Sequence, residues 1–481
     1  MALQLRVRRV EFFVHECRTR IPFKFGATTF TGAPLCVVRL VADTEAGEAT
    51  GYASDFLVPK WFDKDPTRSP FKNIRDLTRS CFDAAEFARQ AGPAASAFDL
   101  WLPMDRAQRA GSDALLDGLV RGFGVSMVER ALLDALCRVA GISFHEALRQ
   151  DLFGFRPGMV EAELDDFTMA ESLTGTAMDS VAVRHTVGLA DPLHDQDRQG
   201  PCLDDGLPET LQEDIRRYDL HCFKLKLCGK LEDDVTRLQQ IGEVLQAEVK
   251  GRLLLSVDGN EQFRTMDQVH ETLRRLQGSS VGNYLLDGLA FIEQPLARAI
   301  TFDSERLEAL PRVTEEFAPV IIDEADAGLE SFGQALACGY RGISVKNCKG
   351  VFKALVHHAM CCRSPQPIFQ SSEDLSNLGV LSLQQDLATL AAVGLTHSER
   401  NGHHYFCGLQ HLPPAESEAA LNRHPDLYED SPLGPQLKIQ EGRLRFGSIH
   451  QVAGFGHDIT PDFTARQVLR LEDFQDPLTD A

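Results

Sequence analysis

Residues 222–228 read CFKLKLC, two lysines set two apart in an otherwise apolar run. Alternation along a strand puts Lys224 and Lys226 on one face, and an ammonium is costly to bury unless anions meet it. The run is one of a series. Short β-rich stretches recur from about residue 180: VAVRHTVGL (181–189), CFKLKL (222–227), RLLLSVDGN (252–260), GLAFIEQP (288–295), APVIIDEA (318–325), GISVKNC (342–348), PIFQSS (367–372) and AAVGLTHSE (391–399). Helical stretches such as LEDDVTRLQQIGEVLQAEV and SFGQALACGY lie between them. Eight strands alternating with helices predict parallel βα units that close into a (β/α)8-type, TIM-like barrel. A doubly wound sheet competes, but no Gly-rich fingerprint follows any strand.

The first 140 residues have another rhythm. Residues 5–14, 34–42 and 49–53 predict a small antiparallel sheet. RTRIPFKFGATTFTG (18–32) and SDFLVPKWFDKDP (54–66) read as loops, and 72–90 and 113–140 as helices, the second stopping at Gly141. The expected class is therefore α/β: an N-terminal α+β capping domain (1–140), a barrel (141–411) and a C-terminal segment (412–481) that completes the cap. Residues 156–180 and 190–207 read as insertions, and LKIQEGRLRFG (437–447) as strand-like.

Composition narrows the class of function. The chain has 481 residues, 43% hydrophobic and 25% charged, and a formal net charge of −21. No basic stripe is present, which argues against a nucleic-acid partner. No run approaches the roughly 18 apolar residues of a membrane span. Twelve cysteines without a CxxC read as reduced thiols, and the expected location is cytoplasmic.

The polar residues fall at strand ends. LLLSVDGN delivers Asp258, LAFIEQP delivers Glu293, and PVIIDEA delivers Asp323 followed by Glu324. In a parallel barrel these ends share one mouth. Three acids there repel one another unless a cation sits among them, and oxygen-only ligation suits Mg²⁺ best and Mn²⁺ next. The preceding strand supplies Lys224 and Lys226, and the following one Lys346. Amines on both sides of a metal-binding acid set suit removal of a proton α to a carboxylate, with the cation neutralising the enediolate.

The order KxK, DGN (258–260), IEQP, PVIIDEA, SVK resembles the enolase superfamily, and within it the muconate-lactonizing-enzyme-like and mandelate-racemase-like members. RIPFKFG is similar to the capping domain of that family, and VERALLDALCRVAG to the helix that leads into its barrel. The resemblance covers residues 5–66 and roughly 120–410. It implies that Asp258, Glu293 and Asp323 ligate Mg²⁺, with Glu324 in support, since either member of the DE pair could otherwise be the ligand. It implies an acid/base pair, Lys226 and Lys346, on opposite faces of the substrate. Lys224 would hold the substrate carboxylate and lower the pKa of Lys226. The two cap loops, 18–32 and 54–66, would close over the mouth and select a small-molecule carboxylate. A homo-oligomer of unspecified size is also implied.

Racemisation or epimerisation is the expectation, with cycloisomerisation and syn-dehydration as alternatives within the family. A non-catalytic barrel binding protein and a Schiff-base aldolase are the alternatives outside it. The family's dipeptide epimerases carry a D-x-D near the end of the last barrel strand. Here that place reads HSE, His397 and Glu399. SSEDLSNLG resembles the family's S-x-E-x-N segment, so Ser372, Glu373 and Asp374, with Asn260, are further pocket candidates. FHEALRQ and VHETLRR lack the second histidine of a zinc helix and read as ordinary helix faces. His357 and His358 read as packing or surface residues, and His403 and His404 of NGHHYFCG as a loop or cap contact, with substrate contact at the mouth the alternative.

Overall fold

The computed structural model describes residues 2–474, apart from 27, 112–116, 174, 199 and 376. An antiparallel sheet opens the chain: β1 (Leu5–Phe25), β2 (Thr28–Thr44) and β3 (Gly47–Phe56). Three helices follow, α1 (Pro70–Gln90), α2 (Ala97–Arg109) and α3 (Gly118–Ala140). α3 starts where the Asp117 side chain accepts from the Leu119 N–H, and it ends at Gly141 in the left-handed conformation.

Eight strands then form a parallel sheet: β4 (Ser180–Val187), β5 (Cys222–Lys226), β6 (Leu254–Asp258), β7 (Leu289–Glu293), β8 (Val320–Ile322), β9 (Gly342–Val345), β10 (Phe369–Ser372) and β11 (His397–Arg400). Each pairs with the next, and β11 pairs with β4, so the sheet closes. All eight strands expected from the sequence are present, and the doubly wound alternative is excluded. Short, buried apolar runs form these strands because both their faces are covered, by helices outside and side chains within.

Two expectations about the cap change. Residues 18–32 are not a loop: β1 and β2 continue as paired strands through Phe25↔Thr28, so this stretch is the end of a long hairpin. Phe23, Phe25 and Phe30 are buried on it, and that burial holds the strands beyond the sheet proper. α2 has no counterpart in the sequence reading, because Pro103 breaks its helical signal. The C-terminal residues touch both parts. Gln467–Val468 pairs with β1, and Arg443–Arg445 pairs antiparallel with the start of β4.

α3 is the joint between sheet and barrel. A Cβ on Gly51 would lie 2.2 Å from the Ala131 carbonyl, and one on Gly124 would lie 2.0 Å from that of Ser80. Only glycine lets β3 and α1 approach α3 so closely. Arg130, fully buried, pairs with Asp55 of β3 at 2.9 Å and donates to the Ser54 carbonyl at 3.0 Å and Gln385 Oε1 at 3.3 Å. Gln385 lies in the barrel helix Leu381–Ala392. One guanidinium thus joins cap sheet, α3 and barrel. Its neighbour Glu129 accepts from the Phe352 N–H of a second barrel helix, and burial pushes its carboxyl up to about 8.

Two outcomes follow. Arg130→Met should cost about 3–5 kcal/mol in chemical denaturation, because it strands a buried Asp55. Glu129 has a folded-state pKa raised from 4.5 to about 8, so its contribution to stability is complete below about pH 4.5 and is lost as pH rises towards 8. Glu129→Gln should therefore gain on the parent protein in thermal melts from pH 5 to 8.

Candidate active site

Parallel pairing in register places the ends of β5, β6 and β7 side by side, with Lys226 opposite Asp258 and Asp258 opposite Glu293. β8 is held at the same level by Gln294, which follows Glu293. Its Oε1 accepts from the N–H groups of Asp323 (2.7 Å) and Ala325 (3.0 Å), and its Nε2 donates to the Leu296 carbonyl at 2.7 Å. Gln294 has φ +32°, and Asn260 and Glu261 after β6 have φ +41° and +69°. These left-handed residues turn the chain sharply behind the acids.

Charge at the mouth is compensated group by group. The Lys224 ammonium lies 3.0 Å from Asp258 Oδ2, 2.7 Å from Glu293 Oε2, 2.8 Å from Glu373 Oε2 and 3.0 Å from Glu399 Oε2. Lys226 donates to Asp258 Oδ2 at 2.6 Å. Across the mouth Lys346 donates to Asp323 Oδ2 at 2.6 Å, and the other Asp323 oxygen accepts from Ser344 and faces Lys349 at 3.4 Å. Deeper in the barrel Arg184 donates to Glu373, to Ser256 Oγ at 2.6 Å and to the Ser372 carbonyl at 2.8 Å. Its guanidinium stacks 4.9 Å above Phe291.

The acids are not equally satisfied. Burial, with Asp258 and Glu373 beside it, pushes the Glu293 carboxyl well above the usual range. Burial works the same way on Asp323, but Lys346 and Lys349 overcome it and hold that carboxyl far below normal. Burial disfavours the Lys224 ammonium, and its four carboxylates outweigh this and raise its pKa well above normal. Lys224, expected to hold the substrate carboxylate and lower the pKa of Lys226, is in this structure engaged by four carboxylates. Lys346 is likewise raised: burial opposes the charge, and Asp323 overcomes it.

Of the other expected pocket residues, Asn260, Asp374 and Glu399 line a chamber over Lys226 and Lys346. Burial raises Asp374 to about 7. Glu373 sits beneath them on Lys224 and Arg184. Glu324 turns away from the lysine side, pairing with Lys64 at 2.9 Å and accepting from Asn260 Nδ2 at 3.3 Å. Ser372 and His397 do not line the chamber. Ser372 Oγ pairs with Ser398 Oγ at 2.6 Å, one position off the inward face that carries Glu399. His397 starts β11 with its ring stacked on Phe291.

The cap supplies the roof. Phe23, Phe25 and Phe30 of the hairpin and Val58 and Trp61 of the segment after β3 cover the lysines, with Trp61 4.4 Å from the Lys346 nitrogen. Both cap elements are fastened down. Arg298, after β7, donates to the carbonyls of Trp61 (3.0 Å) and Phe62 (2.8 Å), and Lys64 reaches Glu261 at 2.7 Å. Arg20 of β1 pairs with Asp205 at 2.6 Å and donates to the carbonyls of Pro208 and His404, both at 2.9 Å. The 190–207 insertion therefore serves as the hairpin's anchor.

Sequence reading missed Arg184, Lys349 and Asn401. For Arg184 the signal was present: a charge inside VAVRH, flanked by apolar residues as the KxK pair is. Lys349 and Asn401 lie just past strand ends, and nothing local marks them.

No protein-family model matches the sequence, and no curated protein does. Solved structures match almost end to end. A muconate lactonizing enzyme from Pseudomonas fluorescens, complexed with muconolactone, has 15% identity and a TM-score of 0.60 over 96% of this chain and 99% of its own. An enolase from Bradyrhizobium, complexed with magnesium and mandelic acid, has 16% identity and a TM-score of 0.59 over 97% and 99%. A dipeptide epimerase from Enterococcus faecalis, complexed with Mg and L-Leu-L-Tyr, has 15% identity and a TM-score of 0.59 over 94% and 99%. The chain shares with these structures the fold of a capped (β/α)8 barrel.

Lys224→Met would leave four buried carboxylates without their shared ammonium. Its melting temperature should fall well below that of Lys226→Met, which releases only Asp258. Glu399 is held far below its usual 4.5 in the native protein, so the stability it contributes is present above pH 4.5 and is lost as pH falls. The gap between parent and Lys224→Met should narrow on acidification.

Proposed function

We propose that the chain is an enzyme that removes a proton α to a carboxylate, with Mg²⁺ at the mouth. Asp258, Glu293 and Asp323 would hold the ion, and Mn²⁺ is the nearest substitute. The donor set fits: three buried oxygen ligands end consecutive strands, and the Glu293 carboxyl is short of positive charge. When bound, the metal supplies two positive charges that compete with the lysines for these acids and stabilise negative charge on a substrate carboxylate.

The observation that carries this reading is the disposition of the two amines. Lys226 rises from β5 and Lys346 from the end of β9, and both line one chamber under the aromatic roof of the cap. An acid whose α-carbon lies between them presents opposite faces to the two nitrogens. One amine takes the proton, the other returns it, and the result is inversion at that carbon. Phenylalanine and tryptophan side chains overhead exclude water and favour an apolar substituent on the acid. The substrate class is thus a small carboxylic acid with an apolar body, and the activity a racemase or epimerase.

A second reading has support of its own. Lys346 is clamped between Asp323 and the Trp61 ring, which suits a fixed charge rather than a base. In that case Lys226 alone moves the proton, and the reaction is a cycloisomerisation or syn-dehydration.

The test is proton-deuteron exchange by NMR in deuterated water, with Mg²⁺, over a library of apolar α-substituted carboxylates. Both enantiomers of a substrate should exchange, and Lys226→Met and Lys346→Met should each lose at least about 100-fold. Exchange of one enantiomer that survives Lys346→Met selects the second reading. Absence of exchange in the whole library, or borohydride trapping of a lysine Schiff base, would overturn both.

A further inference from the structure

A second cluster of ligating side chains lies at the seam where the barrel closes. His185 is on β4, opposite Arg400 of β11 in register. His403 stands three residues beyond Arg400, in the short helix Gly402–Tyr405, and Asp214 is on the helix Leu211–Tyr218. Among the described residues these three form the one set of His, Cys, Asp or Glu side chains whose donor atoms all lie within 4.8 Å of one another. Asp258, Glu293 and Asp323 are not such a set in this structure.

The set is buried, with Asp214 0% and His185 2% exposed. His185 Nδ1 lies 3.0 Å from His403 Nε2, and His185 Nε2 lies 3.8 Å from Asp214 Oδ2. Asp214 Oδ2 lies 2.8 Å from His404 Nδ1, and Asp214 Oδ1 has no hydrogen-bond partner among the described residues. A buried carboxylate ringed by imidazoles is a strong ligand for a divalent cation, which would compete with His404 for it.

We infer that His185, Asp214 and His403 form a binding site for a zinc-type divalent transition ion, distinct from the magnesium-type mouth, which staples the barrel seam. Two imidazoles and one carboxylate select zinc or its neighbours over magnesium, which prefers oxygen alone. With one donor atom from each side chain, the three already lie within 4.8 Å of one another, against about 3.3 Å between donors on a tetrahedral zinc with bonds of about 2.0–2.1 Å. The staple joins the first barrel strand, the helix after the 190–207 insertion and the segment after the last strand. Arg20 of the cap hairpin donates to the His404 carbonyl beside it, so the ion also steadies the anchor of the roof.

The full chain, stripped with EDTA and returned to millimolar Mg²⁺, is titrated with Zn²⁺ and with Co²⁺. The expected result is one ion per chain by elemental analysis that excess Mg²⁺ does not displace, a visible Co²⁺ spectrum of nitrogen ligation, and a melting temperature several degrees higher than in the stripped protein. His403→Ala and Asp214→Asn should lose the ion and the shift. No bound ion, or uptake undiminished in both variants, overturns the inference. Anomalous diffraction at the zinc edge from the parent protein decides the matter even if a variant fails to fold. A peak between the three side chains supports the staple, and a peak only elsewhere contradicts it.

Discussion

One ammonium, that of Lys224, lies within 3.0 Å of four buried carboxylates from four different strands or strand ends. The rest of the site depends on that contact. A parallel barrel brings all its strand ends to one mouth, so acids that are remote in sequence are forced together. Lys224 balances them from beneath, with Arg184 below it. Lys226 and Lys346 are left at the top, facing the chamber. A core lysine thus performs a structural task that leaves two others facing the chamber.

The same acids give the mouth its responsiveness. Asp323 is paired with Lys346, and Asp258 with Lys226. A divalent cation held by those carboxylates, as proposed, would compete with both lysines for them at once. The roof is coupled as well. Arg298, Lys64 and Arg20 tie the cap to barrel loops, so the aromatic residues over the chamber are set by the same strand ends that carry the acids.

Most of the barrel was legible because its strands are short apolar runs ending in a charge, and the position of that charge is itself a depth marker. Lys226, Asp258, Glu293, Asp323 and Lys346 all follow this rule. Ser372 and His397 were misjudged as pocket residues for a related reason. Alternation was not carried along the last two strands, so Ser372 was read on the wrong face, and His397 at the wrong depth. The hairpin at 18–32 was hidden by its composition, since Gly and Thr signal a loop locally while the aromatic burial that makes it a strand comes from the barrel beneath. The seam histidines could not be joined from sequence, because His185 and His403 are 218 residues apart and meet only when β11 pairs with β4.

A crystal structure of the protein with Mg²⁺ and an apolar α-substituted carboxylic acid tests the central claim most directly. The account requires one ion within about 2.0–2.2 Å of oxygens from Asp258, Glu293 and Asp323, Lys224 still on Glu373 and Glu399, and the α-carbon between Lys226 and Lys346. The three acids still paired to their lysines, with no ion among them at saturating magnesium, would contradict it.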